Sequence, residues 1–138
     1  MPFYKSHMGV VGFDLSPRIN WPLELQNFNI MLNQMASAYI GVHGAKLMLN
    51  FRTGSTHTYD CLAGYPPGAW YVAGSLGCSK GHIPINEMYL RSKILMTRAD
   101  TILYYGGLKP EYKKILDEFE IAYYVYPDFK KNCFTKGV

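Results

Sequence analysis

The sequence predicts one α/β domain over residues 1–138, with α+β as the alternative, built as a mixed sheet between helices in three layers. Three observations predict it. From Trp70 onward, strand-like and helix-like stretches alternate with short connections, the pattern of parallel crossovers. Between Gly41 and Gly68, two short runs flank a turn and read as an antiparallel pair. The chain has 138 residues, 49% hydrophobic and 17% charged, which is enough apolar material for a core without staples.

The elements follow in order. Met8 to Phe13 is a short apolar run and reads as a strand, closed by a turn at Asp14–Pro17. Pro22 suits a helix start, and Leu25, Phe28, Leu32, Met35 and Tyr39 recur at three- and four-residue steps. That stripe predicts a helix from about Trp21 to Ser37 with its apolar face inward, leaving Asn27, Asn29, Asn33 and Gln34 to water. Lys46 to Phe51 reads as a strand, with a helix starting at His43 as the alternative. Arg52–Ser55 has hairpin length, and Thr56 to Cys61 alternates polar and aromatic residues like an exposed return strand, with His57 on it.

The second half is more regular. Ala69 to Ala73 is aromatic and β-branched, a strand, and a helix is expected from about Asn86 to Ala99. Thr101 to Tyr105 is a buried-type strand, Glu111 to Phe119 a helix opened by Pro110, and Ile121 to Tyr126 a strand closed by Pro127. The strands at Trp70, Ile102 and Tyr124 are expected to be parallel neighbours, and residues 130–138 to form a tail.

The candidate site is the glycine-rich stretch between the Trp70 strand and its helix. Gly74, Gly77 and Gly81 allow close backbone approach, Ser75 and Ser79 offer hydroxyls, and Lys80 supplies charge. Its spacing matches neither the P-loop nor the dinucleotide fingerprint. The expectation is a binding site for a small anionic, nucleotide-type ligand, with Arg91 or Arg52 meeting phosphate and Tyr104 and Tyr105 stacking a base. The formal net charge of +4 favours an anionic ligand, but the positive residues form no run, so no extended nucleic-acid interface is expected.

An enzyme acting on a nucleotide or nucleobase is the alternative. Zinc deaminases use a His-x-Glu and two thiolates. Here His43, Cys78 and His82 are the candidate ligands, but Ala45 stands where the glutamate belongs and His82 would replace a thiolate. Glu87 is a candidate base or helix-start carboxylate. His7 with Cys133, after Asn132, is a further thiol-histidine pairing, though only five residues follow Cys133. A protein-interaction module is the third class, suggested by 12 tyrosines. Any cofactor is left unidentified by the sequence. Twelve tyrosines and seven methionines with so little charge predict a homo-oligomer. Three cysteines without paired spacing, no apolar span and no secretory signal predict a cytoplasmic protein without a membrane segment.

Overall fold

The computed structural model describes residues 9–74 and 83–127, the first four of the latter stretch as backbone alone. The elements are β1 (Val10–Val11), α1 (Leu23–Val42), β2 (Leu47–Asn50), a 3₁₀ segment (Thr56–Gly64), β3 (Trp70–Gly74), α2 (Ile83–Thr97), β4 (Thr101–Tyr105), α3 (Pro110–Glu118) and β5 (Ala122–Tyr126). The five strands form one sheet in the order β1-β2-β3-β4-β5, and every neighbouring pair is parallel. The expected parallel neighbours therefore stand, with Tyr71 beside Ile102 and Ile102 beside Tyr123.

The antiparallel N-terminal part does not form. β2 pairs in parallel with β1 on one side and β3 on the other, Leu47 beside Val10 and Leu49 beside Tyr71. The run expected as a return strand is the 3₁₀ segment instead. Its start is locked locally. The Thr58 hydroxyl donates to the Ser55 carbonyl at 2.7 Å and accepts the Gly54 N–H at 3.0 Å. Such local bonding by threonine competes with a sheet ladder. Thr58, Tyr59 and Leu62 are buried, at one- and three-residue steps that no strand face provides.

The three-layer expectation is also corrected. Leu49, Phe51, Tyr71, Ile102 and Tyr104 share one face of the sheet by strand alternation. They form one cluster with Ile94 of α2 and Tyr112, Ile115 and Leu116 of α3. Helix α1 lies on that face too, since a methyl group on its Gly41 would come within 3.1 Å of the Leu47 side chain. A parallel sheet whose strands follow chain order has its crossovers on one side when all share one hand. No described helix packs on the other face. There Val72, Leu103 and Tyr105 are half-buried, while Val11, Trp70, Tyr124 and Tyr126 are exposed.

Helix α1 is turned the other way from its expected orientation. Its buried positions are Gln26, Ile30, Asn33, Ser37 and Ile40. The stripe from Leu25 to Tyr39 faces outward, each of its five residues exposed. The polar residues are inward because they bind the preceding chain. Phe13 N–H donates to the Ser37 hydroxyl, Asn33 exchanges two hydrogen bonds with Leu15, and the Gln26 amide donates to the Ile19 and Trp21 carbonyls. The β1–α1 connection is thus zipped along the helix, with its backbone groups satisfied by side chains.

Candidate ligand site at the carboxyl edge of the sheet

Because all five strands are parallel, all five carboxyl ends lie along one edge of the sheet. The edge begins with an ion pair between the chain after β1 and the chain after β2. Arg52 meets Asp14 in a two-point fork, Nε to Oδ1 at 2.7 Å and Nη2 to Oδ2 at 2.8 Å. The parallel pairing of β1 with β2 places these residues together.

Lys93 reaches in from α2. Its ammonium donates to the Phe51 carbonyl at 2.8 Å and lies 5.4 Å from the centre of the Tyr59 ring. Tyr59 in turn meets Tyr89 edge-on, with centroids 6.0 Å apart. A cation so placed is held by a carbonyl dipole and a ring face together.

β3, β4 and β5 end in register, with Gly74 beside Tyr105 and Tyr105 beside Tyr126. This row points to the face that no described helix covers. Glycine leaves the floor of that row without a side chain, bounded by the Tyr105 position. Beyond it the chain turns away at Gly106, whose φ of 102° suits glycine and whose N–H donates to the Tyr126 carbonyl at 2.8 Å.

Ser75, Gly77, Cys78, Ser79, Lys80, Gly81 and His82 lie outside the described residues, as do His7, Asn132 and Cys133. Tyr104 and Tyr105 do not form one stacking surface. Strand alternation sends Tyr104 into the core beside α3 and Tyr105 to the opposite face. Arg91 lies on α2 and pairs with Glu118 of α3 at 2.6 Å, its guanidinium 6.0 Å from the centre of the Phe119 ring. α2 begins at Ile83, earlier than expected, so Glu87 sits beyond its first turn. His43 follows α1 and precedes β2, which puts it at the amino edge, opposite the end of β3. There its ring lies 4.2 Å from that of Tyr39. His57 is in the 3₁₀ segment. Among the described residues, no three His, Cys, Asp or Glu side chains converge on a metal-sized site. No described helix is long and apolar enough to cross a membrane.

Three groups among the described residues are made harder to ionise. Burial raises the Cys61 thiol, with the Asp60 carboxylate adding to it, which disfavours a thiolate. Burial raises Tyr65 in the same way, and Tyr71 is pushed up to about 12, chiefly by burial. Sequence reasoning missed Asp14, Tyr59 and Lys93. Their signal lay in the topology, since reading β2 as half of a hairpin hides its β1 neighbour and misplaces the segment carrying Tyr59.

Comparison with curated proteins and with solved structures finds no match. Residues 1–125 match the sequence model of a family described as a domain of unknown function, DUF4417, and the chain belongs to that family.

Proposed function

We propose that this protein binds a small anionic, nucleotide-type ligand at the carboxyl edge of its sheet. The observation that carries the reading is the row Gly74–Tyr105–Tyr126, where three parallel strands end side by side on the face that no described helix covers. A planar base fits against an aromatic side chain next to a residue that has none, and such stacking is worth roughly 1–3 kcal/mol per base. The phosphate would lie toward the chain after β3, where Ser75, Ser79 and Lys80 follow Gly74 in the sequence. The net charge of +4 favours an anionic ligand, and Arg52 could meet it by exchanging its Asp14 partner. In this reading Tyr105 supplies the stacking surface, and Tyr104 supports it from the core.

Calorimetric titration with mono-, di- and cyclic nucleotides tests the reading. Tyr105→Ala is expected to weaken binding roughly tenfold or more, by the loss of one stack. Lys80→Ala is expected to cost roughly 1.5–3 kcal/mol, the worth of a charged hydrogen bond, with the loss shrinking as salt rises. If no nucleotide binds, or both variants bind like wild type, the edge is not a nucleotide site.

A further inference from the structure

We propose that the outer face of α1 is a self-association surface, occupied by the same helix of a second copy of this chain. Leu25, Phe28, Leu32, Met35, Tyr39 and Val42 follow one another at steps of three, four, three, four and three. That is the repeat of a two-helix seam. All six are exposed, from 37% at Leu32 to 80% at Val42. The surface is independent of the proposed ligand site, since α1 lies on the helix-covered face and the tyrosine row on the other.

Three features favour a second copy over other occupants. First, the spacing reads the same in both directions. A parallel pair sets each seam residue against its own copy. An antiparallel pair sets Leu25 against Val42, Phe28 against Tyr39 and Leu32 against Met35. In either orientation every large side chain meets another. Second, Glu24 is the only charged residue in the twenty of α1, so two copies approach without like-charge repulsion. The same lack of lysine and arginine disfavours a membrane surface, which amphipathic helices meet with basic residues. Third, the area is sufficient. Taking about 200 Å² for a large side chain in full exposure, the six leave roughly 600 Å² on one chain and about 1,200 Å² in a pair, the lower end of a specific interface.

The test is sedimentation across micromolar concentrations. Wild type is expected at twice the 15.7 kDa chain mass. The double variant Leu32→Glu/Met35→Glu is expected at one chain mass with an unchanged circular dichroism spectrum, because both positions are exposed in the single chain and glutamate suits a helix. Tyr124→Glu, on the uncovered face of the sheet, is expected to stay dimeric. A monomeric wild type, a seam variant that stays dimeric, or dissociation by Tyr124→Glu alone would overturn the proposal. So would flotation of monomeric wild type with phosphatidylcholine vesicles, which would assign the seam to lipid.

Discussion

Asn33 and Leu15 hold each other by two hydrogen bonds, the Leu15 N–H to Oδ1 and Nδ2 to the Leu15 carbonyl, each 2.8 Å. One buried side chain thus satisfies both backbone groups of a residue in no strand or helix. Asn33→Leu would place an apolar residue on the helix and leave both groups without a partner. The expected cost is about 2–4 kcal/mol, from two lost bonds and the desolvation of what remains. Asn33→Asp keeps the acceptor but sets a buried carboxylate oxygen against the Leu15 carbonyl, so it is expected to cost at least as much at neutral pH and to recover at acid pH, where the protonated carboxyl can donate. Urea unfolding of both variants checks the order.

Tyr71 is fully buried against Phe51, and its hydroxyl has no hydrogen-bond partner among the described residues. Tyr71→Phe is expected to leave the fold intact and to match or exceed wild-type stability, because it removes an unpaired polar atom and keeps the ring. The alkaline limb follows from the raised phenol, at about 12 in the folded chain. Below the unfolded value near 10, both states hold the proton and stability is unaffected. Between the two values the unfolded state loses its proton first, so stability falls by on the order of 1.4 kcal/mol per pH unit. Urea melts at about pH 9 and about pH 11 are expected to diverge less for Tyr71→Phe than for wild type. Tyr65, raised in the same direction, keeps part of the slope in the variant.

The C-terminal half was legible because its signals are local. Thr101–Tyr105 is apolar, it ends at glycine, and Pro110 opens the helix that follows, so propensity and burial agree. The N-terminal half was not, because there the partners decide. Leu25 to Tyr39 makes a clean amphipathic stripe, yet the helix buries the face of Gln26, Asn33 and Ser37. Those side chains are inward only because the chain from Phe13 to Trp21 lies beside them, and periodicity carries no record of that. The candidate edge divides the same way. Gly74 was visible as a strand-end glycine, but its pairing with Tyr105, and the separation of Tyr105 from Tyr104, depend on register.

The Asp14–Arg52 fork separates stability from recognition. Its side chains are 42% and 19% exposed and the contact is two-point, so the pair contributes more than a fully exposed one, about 1 kcal/mol. Asp14→Asn keeps one acceptor for the guanidinium and is expected to cost about 1 kcal/mol. It also removes a carboxylate that competes for the guanidinium. If the edge takes an anion, nucleotide affinity is expected to rise in Asp14→Asn and to fall in Arg52→Gln, more steeply at low salt. Equal affinities in all three proteins would place the ligand away from this pair.

Gly54 is a position where the space beside the backbone, and not a special φ, excludes a side chain. A methyl group there would run into the Gln26 Oε1, with the rest of the amide close behind. Gln26 cannot move away freely. Its oxygen accepts the Ser55 N–H at 2.8 Å, and its nitrogen donates to the Trp21 carbonyl at 2.8 Å and the Ile19 carbonyl at 3.3 Å. The residue is buried, so any bond it loses is not replaced by water. Gly54→Ala is therefore expected to destabilise the protein by about 1–3 kcal/mol, the cost of breaking buried hydrogen bonds. A backbone cause predicts otherwise, since alanine in place of a glycine of ordinary conformation is stabilising by up to about 1 kcal/mol. The double variant Gly54→Ala/Gln26→Ala decides between them. With the amide gone the methyl has room, so adding Gly54→Ala to Gln26→Ala is expected to cost nothing further. A full additive loss in urea unfolding would show that the glycine is required for another reason.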